Sequence, residues 1–117
     1  MSQITPKLSL PVIMPAQAQK HITHNEALER IDLFVQMTLE ATDATSAPAA
    51  PQEGESWAIG SGATGLWSGQ DGMIASFRGG GWLFVTPSEG WLAWDKSVSV
   101  LKVWSGGAWQ MLAGLAP

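Results

Sequence analysis

Residues 74–85 read Ile-Ala-Ser-Phe-Arg-Gly-Gly-Gly-Trp-Leu-Phe-Val, and residues 101–112 repeat the pattern as Leu-Lys-Val-Trp-Ser-Gly-Gly-Ala-Trp-Gln-Met-Leu. The two copies share an aromatic residue, a Gly-Gly pair and a following tryptophan at a constant offset of 27 residues. Glycine supplies the positive φ that a short hairpin turn requires, and Val, Ile, Phe and Trp favour a pleated strand. Each copy therefore predicts a β-hairpin.

Further strands are predicted before and between these hairpins, and all seven tryptophans lie in this part of the chain. Apolar residues fall on both faces of the predicted strands. Because a single antiparallel sheet in water keeps one face polar, both faces must be covered by the helix, by a second sheet layer or by another subunit. The strands are predicted at about residues 56–60, 73–77, 82–86, 91–95, 100–104 and 108–112.

The first half of the chain differs in composition from the second. It is rich in acids and contains the one long segment with helical apolar spacing, followed by a segment with two prolines and no periodicity. We expect an α+β, mostly β protein in which one N-terminal helix precedes a Trp/Gly-rich antiparallel β-hairpin module. The expected segments are an extended arm at residues 1–20, the helix at 21–42, an Ala/Pro linker at 43–55 and the β module at 56–117.

The predicted helix carries apolar residues on more than one side, since Leu33 and Met37 fall off the main stripe. In one interpretation, one stripe packs on the sheet and the other is partly exposed. In the other, the helices of several subunits form a bundle. The seam of that bundle would be formed by Leu28, Ile31, Val35, Thr38 and Leu39.

Charge and hydropathy exclude several partners. The formal net charge is −4 and the pI is near 4.9, without the clustered Lys and Arg on which nucleic-acid binding depends. The longest apolar run, residues 10–14, is far shorter than the ~20 residues of a spanning helix. We therefore expect no nucleic-acid partner and no membrane insertion. The absence of cysteine excludes disulfides.

No motif predicts a cofactor, a metal or a catalytic site. Gly60-Ser-Gly-Ala-Thr-Gly65 has the spacing of a dinucleotide loop, but no helix is predicted to follow it, so we expect a Gly-rich connection between strands. His21, His24 and Glu26 make at most an incomplete metal site. The acids of the β half lie at predicted turns, where carboxylates commonly bind backbone amides. We expect a protein that is not an enzyme.

The seven tryptophans allow two interpretations. Indole rings stack on sugars, and an aromatic-rich β module with few charges suits a carbohydrate-binding surface. Tryptophan also concentrates in cores and subunit contacts. For the carbohydrate surface, the candidate stacking residues are Trp67, which the Gly-rich connection is expected to expose, and Trp57.

Several motifs together resemble an uncharacterised domain of alphaproteobacterial phages, prophages and gene transfer agents. A weaker resemblance, over residues 92–109, is to a strand-turn-strand motif of phage fibre proteins. The motifs that carry the main resemblance are Pro15-Ala-Gln-Ala-Gln-Lys-His-Ile-Thr-His-Asn-Glu-Ala-Leu28, Glu53-Gly-Glu-Ser-Trp57, Gly62-Ala-Thr-Gly-Leu-Trp67 and Gly81-Trp-Leu-Phe-Val-Thr-Pro-Ser-Glu-Gly-Trp-Leu-Ala-Trp94.

This resemblance implies a virion protein. Its relatives include head-spike and tail-fibre components thought to help attach particles to surface polysaccharide, and they often continue beyond the point where this chain stops. We therefore expect a spike or fibre base, adaptor or decoration subunit, assembled in a bacterial host cytoplasm and carried in the virion. The expected partners are other copies of the chain, as a trimer or pentamer, and other virion proteins. The alternative is an attachment module that contacts host surface polysaccharide.

Overall fold

The computed structural model describes residues 4–12 and 20–112, and for residues 20–23 the backbone alone. The chain divides into two compact units, Met1–Val35 and Gln36–Pro117. In the described part, the first unit contains one α-helix and the second contains seven strands in two sheets. The expected fold class, α+β and mostly β with an N-terminal helix, is confirmed.

Helix α1, Lys20–Phe34, ends well before residue 42, the end predicted from the sequence. Gln36 adopts a φ of 49°, and a left-handed residue just after a helix terminates it. The chain then enters a sheet, where the Trp94 amide donates to the Met37 carbonyl at 2.9 Å. The prediction was wrong because helical apolar spacing continues past the helix, while the pairing that draws these residues into a strand is not local.

The N-terminal arm is not extended in its described part, contrary to the prediction for residues 1–20. Ile4 and Pro11 form an antiparallel bridge, and the Thr5 amide donates to the Leu10 carbonyl at 2.9 Å. These contacts close the arm into a compact loop.

A buried carboxylate on α1 holds this loop. Asp32 accepts hydrogen bonds from the Thr5 hydroxyl at 2.5 Å, the Leu8 amide at 2.5 Å and the Lys7 amide at 3.0 Å. Because Asp32 and Thr5 are both fully buried, these bonds satisfy a charge that would otherwise be costly to bury. The rest of the predicted arm lies outside the described residues.

The second unit contains a four-stranded sheet with the order β1-β5-β6-β7 and a three-stranded sheet with the order β2-β3-β4. Neighbouring strands are antiparallel except β1 and β5, which are parallel. The strands are β1 Thr38–Leu39, β2 Ser56–Ala58, β3 Ile74–Arg78, β4 Gly81–Val85, β5 Leu92–Asp95, β6 Val100–Ser105 and β7 Ala108–Met111.

Both Gly-Gly pairs form hairpin turns, as predicted. Gly79-Gly80 connects β3 to β4, Gly106-Gly107 connects β6 to β7, and all four glycines have φ between 63° and 82°. Positive φ at both central residues is typical of a type I′ turn, whose twist matches that of the flanking strands. The six strands predicted from residue 56 onward are confirmed to within two residues.

Each of the two sheets contains a three-stranded unit of the same arrangement, β2-β3-β4 in one sheet and β5-β6-β7 in the other. Trp57 of β2 lies opposite Ala75 of β3, and Ala93 of β5 lies opposite Lys102 of β6. Because residues 75 and 102 are separated by the same 27 positions as the two hairpins, β2-β3-β4 and β5-β6-β7 have equivalent registers. The repeat that the sequence shows at the hairpins therefore extends to the strand before each of them.

The linker predicted at residues 43–55 contains no strand, but its first residues are hydrogen-bonded to the β structure. Beyond the pairing of β1 with β5, the Ala58 amide donates to the Ala41 carbonyl at 3.0 Å and the Ala44 amide donates to the Ala58 carbonyl at 3.1 Å. We call residues 37–45 the joining segment, because it hydrogen-bonds first to β5 and then to β2. Its Ala- and Pro-rich surroundings hide this pairing in the sequence.

Gly80 and Gly81 provide a matched test of the hairpin turn. Gly80 has a φ of 77°, whereas Gly81 lies outside the left-handed region and a Cβ there would meet nothing within 4 Å. Gly80→Ala should lower the free energy of unfolding by about 1–2 kcal/mol, the cost of a left-handed alanine. Gly81→Ala should be close to neutral. Urea unfolding followed by tryptophan fluorescence measures both, and equal effects would contradict the turn assignment.

Candidate binding and assembly surfaces

An aromatic cluster covers one face of the three-stranded sheet. Trp57 of β2 and Trp82 of β4 have ring centroids 5.7 Å apart. Trp67, from the 3₁₀ turn Gly65–Trp67, lies 6.0 Å from the first ring and 5.3 Å from the second. The interplanar angles are 51–83°, in the tilted and edge-on range that favours aromatic packing. The rings therefore contact one another rather than forming a flat platform.

Trp67 is fully buried, so the prediction that it is exposed and free to stack on a sugar was wrong. The Gly-rich connection folds back over the sheet, where Ile59 and Ala75 form a core cluster with Trp67. No acceptor among the described residues bonds its Nε1, so the ring is held by packing. Trp57, the other predicted stacking residue, is half-buried in the same cluster.

The tryptophan with the most open ring is one that the sequence analysis did not select. Trp94 of β5 is 41% exposed, and Leu92 on the same side of the strand is 49% exposed. On the opposite side, Ala93 and Asp95 are almost completely buried. The strict alternation of Leu92-Ala-Trp-Asp95 predicts that the two large residues share a face, but not that this face is the open one.

Each hairpin turn is clamped by a glutamate. Glu53 accepts from both amides of the Gly79-Gly80 turn at 2.8 Å. Glu89 accepts from the Ser105 hydroxyl at 2.7 Å and the Gly106 amide at 3.2 Å. These two hydrogen bonds hold the pKa of Glu89 below its ordinary value. The two clamps are equivalent positions of the shared three-stranded unit.

The Gly-rich connection between β2 and β3 is also closed by a carboxylate. Asp71 accepts from the Gly62 amide at 2.9 Å and the Ala63 amide at 3.0 Å, and these bonds lower the pKa of Asp71. A dinucleotide loop needs such amides for a phosphate. Here they bind the chain's own carboxylate, and the predicted connection between two strands is confirmed.

Asp95 is the centre of a buried polar cluster. Its carboxylate lies 2.8 Å from Lys102 Nζ and accepts from the Ser97 hydroxyl at 2.6 Å and the Thr42 hydroxyl at 3.0 Å. Burial alone raises the pKa of Asp95, but the Lys102 ion pair and the Ser97 and Thr42 hydrogen bonds outweigh it and lower the pKa to about 2. The cluster therefore ties β5 and β6 to the joining segment.

The described carboxylates of the β half are thus in structural use. Their pKa values are lowered, which is the opposite of what a general acid requires near neutral pH. Within residues 4–12 and 20–112, no group of three His, Asp or Glu side chains is placed to hold a metal ion. His24 is exposed, and the side chain of His21 lies outside the description. No helix in that part of the chain is long and apolar enough to cross a membrane.

The predicted helix seam is only partly on the helix. Ile31 and Val35 are each 46% exposed at the end of α1, and Leu28 is half-buried. Leu39 and Thr38 belong instead to β1, where Leu39 is fully buried. Thr38 and Leu39 therefore cannot be part of a helical seam, because α1 ends before them. What is left is a short exposed apolar patch.

Sequence reasoning missed the structural roles of Asp32 and Glu53, and it placed Glu89 and Asp95 at turns without identifying the contacts that they make. A local signal existed for two of them, because Glu53-Gly54 and Glu89-Gly90 both precede a strand. Gly54 and Gly90 have φ near 90°, and their amides donate to the backbone carbonyls of equivalent aromatic residues, Phe77 of β3 at 2.7 Å and Trp104 of β6 at 2.8 Å. The pairs are 36 residues apart rather than 27, so a search at one fixed offset does not find them.

Comparison with protein families gives a match over most of the chain. The sequence profile of a family described as "Protein of unknown function (DUF2793)" matches residues 24–110, which include α1 from His24 and almost all of the strands. No curated protein has a sequence that matches this chain.

The Asp95 cluster predicts a pH-dependent stability. An ordinary Asp pKa of 3.8 falls to about 2 in the folded chain, so the ionised cluster contributes about 2 kcal/mol above pH 4. This contribution is lost as the pH falls from about 4 to about 2. Asp95→Asn should lower the free energy of unfolding by at least that amount at pH 7, and the difference from the unchanged chain should shrink in that acidic window.

Glu40→Gln is the control for this measurement, because Glu40 forms an exposed 3.1 Å ion pair with Lys96, worth at most about 1 kcal/mol. Denaturant titrations at several pH values measure both variants. An Asp95→Asn difference that stays constant down to pH 2 would show that the carboxylate is not stabilised as an anion.

Proposed function

We propose that this chain, which belongs to the DUF2793 family of proteins of unknown function, is a non-enzymatic structural subunit of a phage or gene-transfer-agent virion. It acts as a homo-oligomer, as a spike or fibre base, an adaptor or a decoration protein. Its partners are other copies of itself, as a trimer or pentamer, and other virion proteins. It is assembled in the bacterial host cytoplasm and carried in the particle.

The observation that carries this proposal is the exposure of large apolar side chains on two separate elements. Ile31 and Val35 at the end of α1, and Leu92 and Trp94 on β5, each expose between 41% and 49% of their surface. Contiguous exposed apolar surface on a folded chain typically marks a contact with another macromolecule. A subunit of an assembly needs such surfaces, whereas an isolated monomer is made less soluble by them.

The remaining structure supports a role in assembly rather than catalysis. Glu53, Asp71, Glu89 and Asp95 hold turns and strands together through short hydrogen bonds. The tryptophans of the three-stranded sheet pack against one another at steep angles. The virion assignment itself rests on the resemblance of the motifs in residues 15–28, 53–57, 62–67 and 81–94.

Particle composition tests the virion assignment. Particles purified from a host that produces an epitope-tagged copy of this chain should contain the tag, at a copy number that is a multiple of three or five per attachment point. Gold labelling of the tag in electron micrographs locates the position on head or tail. Particles without the tag, from cells that contain the protein, would contradict the assignment.

Light scattering tests the oligomer. The purified chain should give a mass that is a multiple of 12.4 kDa, and Ile31→Asp should convert it to a folded monomer, because a charge in an apolar contact costs several kcal/mol. Leu66→Asp is the control, since Leu66 is 75% exposed in the connection between β2 and β3. An oligomer of unchanged size with Ile31→Asp would exclude α1 from the contact.

A carbohydrate-binding attachment module is the second candidate, and the exposure of Trp94 favours it. A tryptophan that is 41% exposed on a sheet face offers a surface on which a sugar ring stacks. The buried Trp67 does not offer such a surface, and Trp57 offers only part of its ring.

This second candidate makes its own prediction. Trp94→Ala should weaken binding of host polysaccharide by about 1–3 kcal/mol, taking aromatic stacking on nucleic-acid bases as the scale. Trp57→Ala should have a smaller effect on binding and a larger one on stability, because that ring packs against two others. Tryptophan fluorescence titration with the host polysaccharide measures the binding. No signal change at millimolar saccharide, with the oligomer intact, would leave the structural role alone.

A further inference from the structure

We propose that copies of this chain associate head to tail, with the end of α1 in one copy lying on the outward face of β5 and β6 in the next. This inference rests on the proposed homo-oligomer and names its contact. The helix patch consists of Ile31, Phe34 and Val35. The sheet patch consists of Leu92, Trp94, Leu101 and Val103.

The helix patch is too short to form a seam with its own copy. The described part of helix α1 has 15 residues, which is about two heptads, whereas an apolar repeat sustained over about three to four heptads is typical of a coiled coil. Its exposed apolar residues lie in the last turn, where Phe34 is 36% exposed beside the more open Ile31 and Val35. A patch confined to the end of a helix can pack against an apolar sheet face more readily than against a second helix.

The sheet patch is an uncharged surface on two neighbouring strands. Leu92 lies opposite Val103 and Trp94 opposite Leu101, and residues directly opposite in an antiparallel pair share a face. The two β5 residues project from this face, while the two β6 residues are half-buried beside them. The result is a short apolar ridge with a shallow floor, not a broad flat face of the kind on which two sheets stack.

The two patches match in length and chemistry. Leu92 and Trp94 are two residues apart on a strand, which corresponds to about 7 Å. Ile31 and Val35 are one helical turn apart, which corresponds to about 6 Å. Neither patch contains a charged residue, so neither selects a charged partner. Each patch provides an apolar surface against which the other can be buried. Helix on sheet is one of the standard ways to bury two such surfaces.

The area argues for a contact between the two different patches over a contact of either patch with its own counterpart. Each patch is on the order of a few hundred Å², the size of the largest apolar patch on an ordinary monomer, whereas a stable interface takes about 800 Å² per partner. A contact of one patch with the same patch of another copy leaves the second patch of each copy in water. A contact of the helix patch with the sheet patch covers both patches on every copy, and in a trimer or pentamer this contact runs head to tail. Repeated around an axis, it closes into a ring.

Cysteine cross-linking tests this contact, because the chain contains no cysteine of its own. Differently tagged Ile31→Cys and Leu92→Cys chains are produced singly and together in one cell, then treated with a short bis-maleimide. The co-produced pair should give a dimer that contains both tags and a cross-linked 31–92 peptide by mass spectrometry, and each single variant should stay uncross-linked. An Ile31→Cys, Leu92→Cys double variant should form a ladder that ends at the number of subunits in the ring.

Leu66→Cys provides the control, because Leu66 is 75% exposed and belongs to neither patch. It should react with a monofunctional maleimide and should not cross-link to either partner. Circular dichroism and light scattering on each variant verify that fold and oligomer are unchanged before cross-linking.

The remaining outcomes separate this inference from the proposed function. Cross-linking of Ile31→Cys with itself would establish a helix bundle, and cross-linking of Leu92→Cys with itself a sheet-to-sheet contact; both overturn the head-to-tail contact while the homo-oligomer stands. A 31–92 link within a single chain of the double variant would show that the helix covers its own sheet. Polysaccharide that protects Leu92→Cys from maleimide in an unlinked chain would assign the sheet patch to a glycan. A monomer in light scattering overturns both proposals.

Discussion

The β structure depends on one stretch of backbone, the joining segment at residues 37–45. Its first residues hydrogen-bond to β5, where the Lys96 amide donates to the Leu39 carbonyl at 2.9 Å. Its next residues hydrogen-bond to β2, where the Glu40 amide donates to the Ser56 carbonyl at 2.6 Å. Backbone amides and carbonyls buried without such partners would cost several kcal/mol in total. The segment satisfies one edge of each three-stranded unit, and it thereby makes two similar units into a single structure.

The three-stranded units β2-β3-β4 and β5-β6-β7 have the same backbone arrangement, but different side chains lie on their inner faces. In the first, Trp57, Ile59 and Ala75 form an apolar face that Trp67 covers. In the second, the equivalent residues include Asp95 and Lys102, and the connection is cut to residues 96–99, which contain no counterpart of Trp67. An ion pair that also binds Thr42 of the joining segment occupies the positions equivalent to Ile59 and Ala75. The same face of the strands is covered by a long loop in β2-β3-β4 and is bridged by hydrogen bonds and an ion pair in β5-β6-β7.

Local chemistry made the β module predictable. Gly-Gly pairs between alternating apolar residues identify type I′ hairpins, since few other residues adopt positive φ twice in succession, and both hairpins and the fold class followed from them. The errors lie where distant contacts decide. The end of α1 at Phe34 depends on a sheet partner more than fifty residues away, and the burial of Trp67 depends on a loop folding back on β2. The clamp residues Glu53 and Glu89 were missed because an insertion changes their spacing from the turns they hold.

The shared unit also provides an internal comparison for the exposed face of β5 and β6. In β2-β3-β4, the positions equivalent to this face are Ser56, Ala58, Ile74 and Ser76, and all four are almost fully buried. In β5-β6-β7, the same positions hold Leu92, Trp94, Leu101 and Val103, of which three are larger and more apolar than their counterparts, and these are exposed or half-buried. A chain that functions alone gains stability from the opposite distribution, with large apolar residues buried and small polar residues in water. The outward face of β5 and β6 contributes little burial free energy in the single chain, because its apolar side chains remain in contact with water. Burying this face against a partner would release that free energy for association.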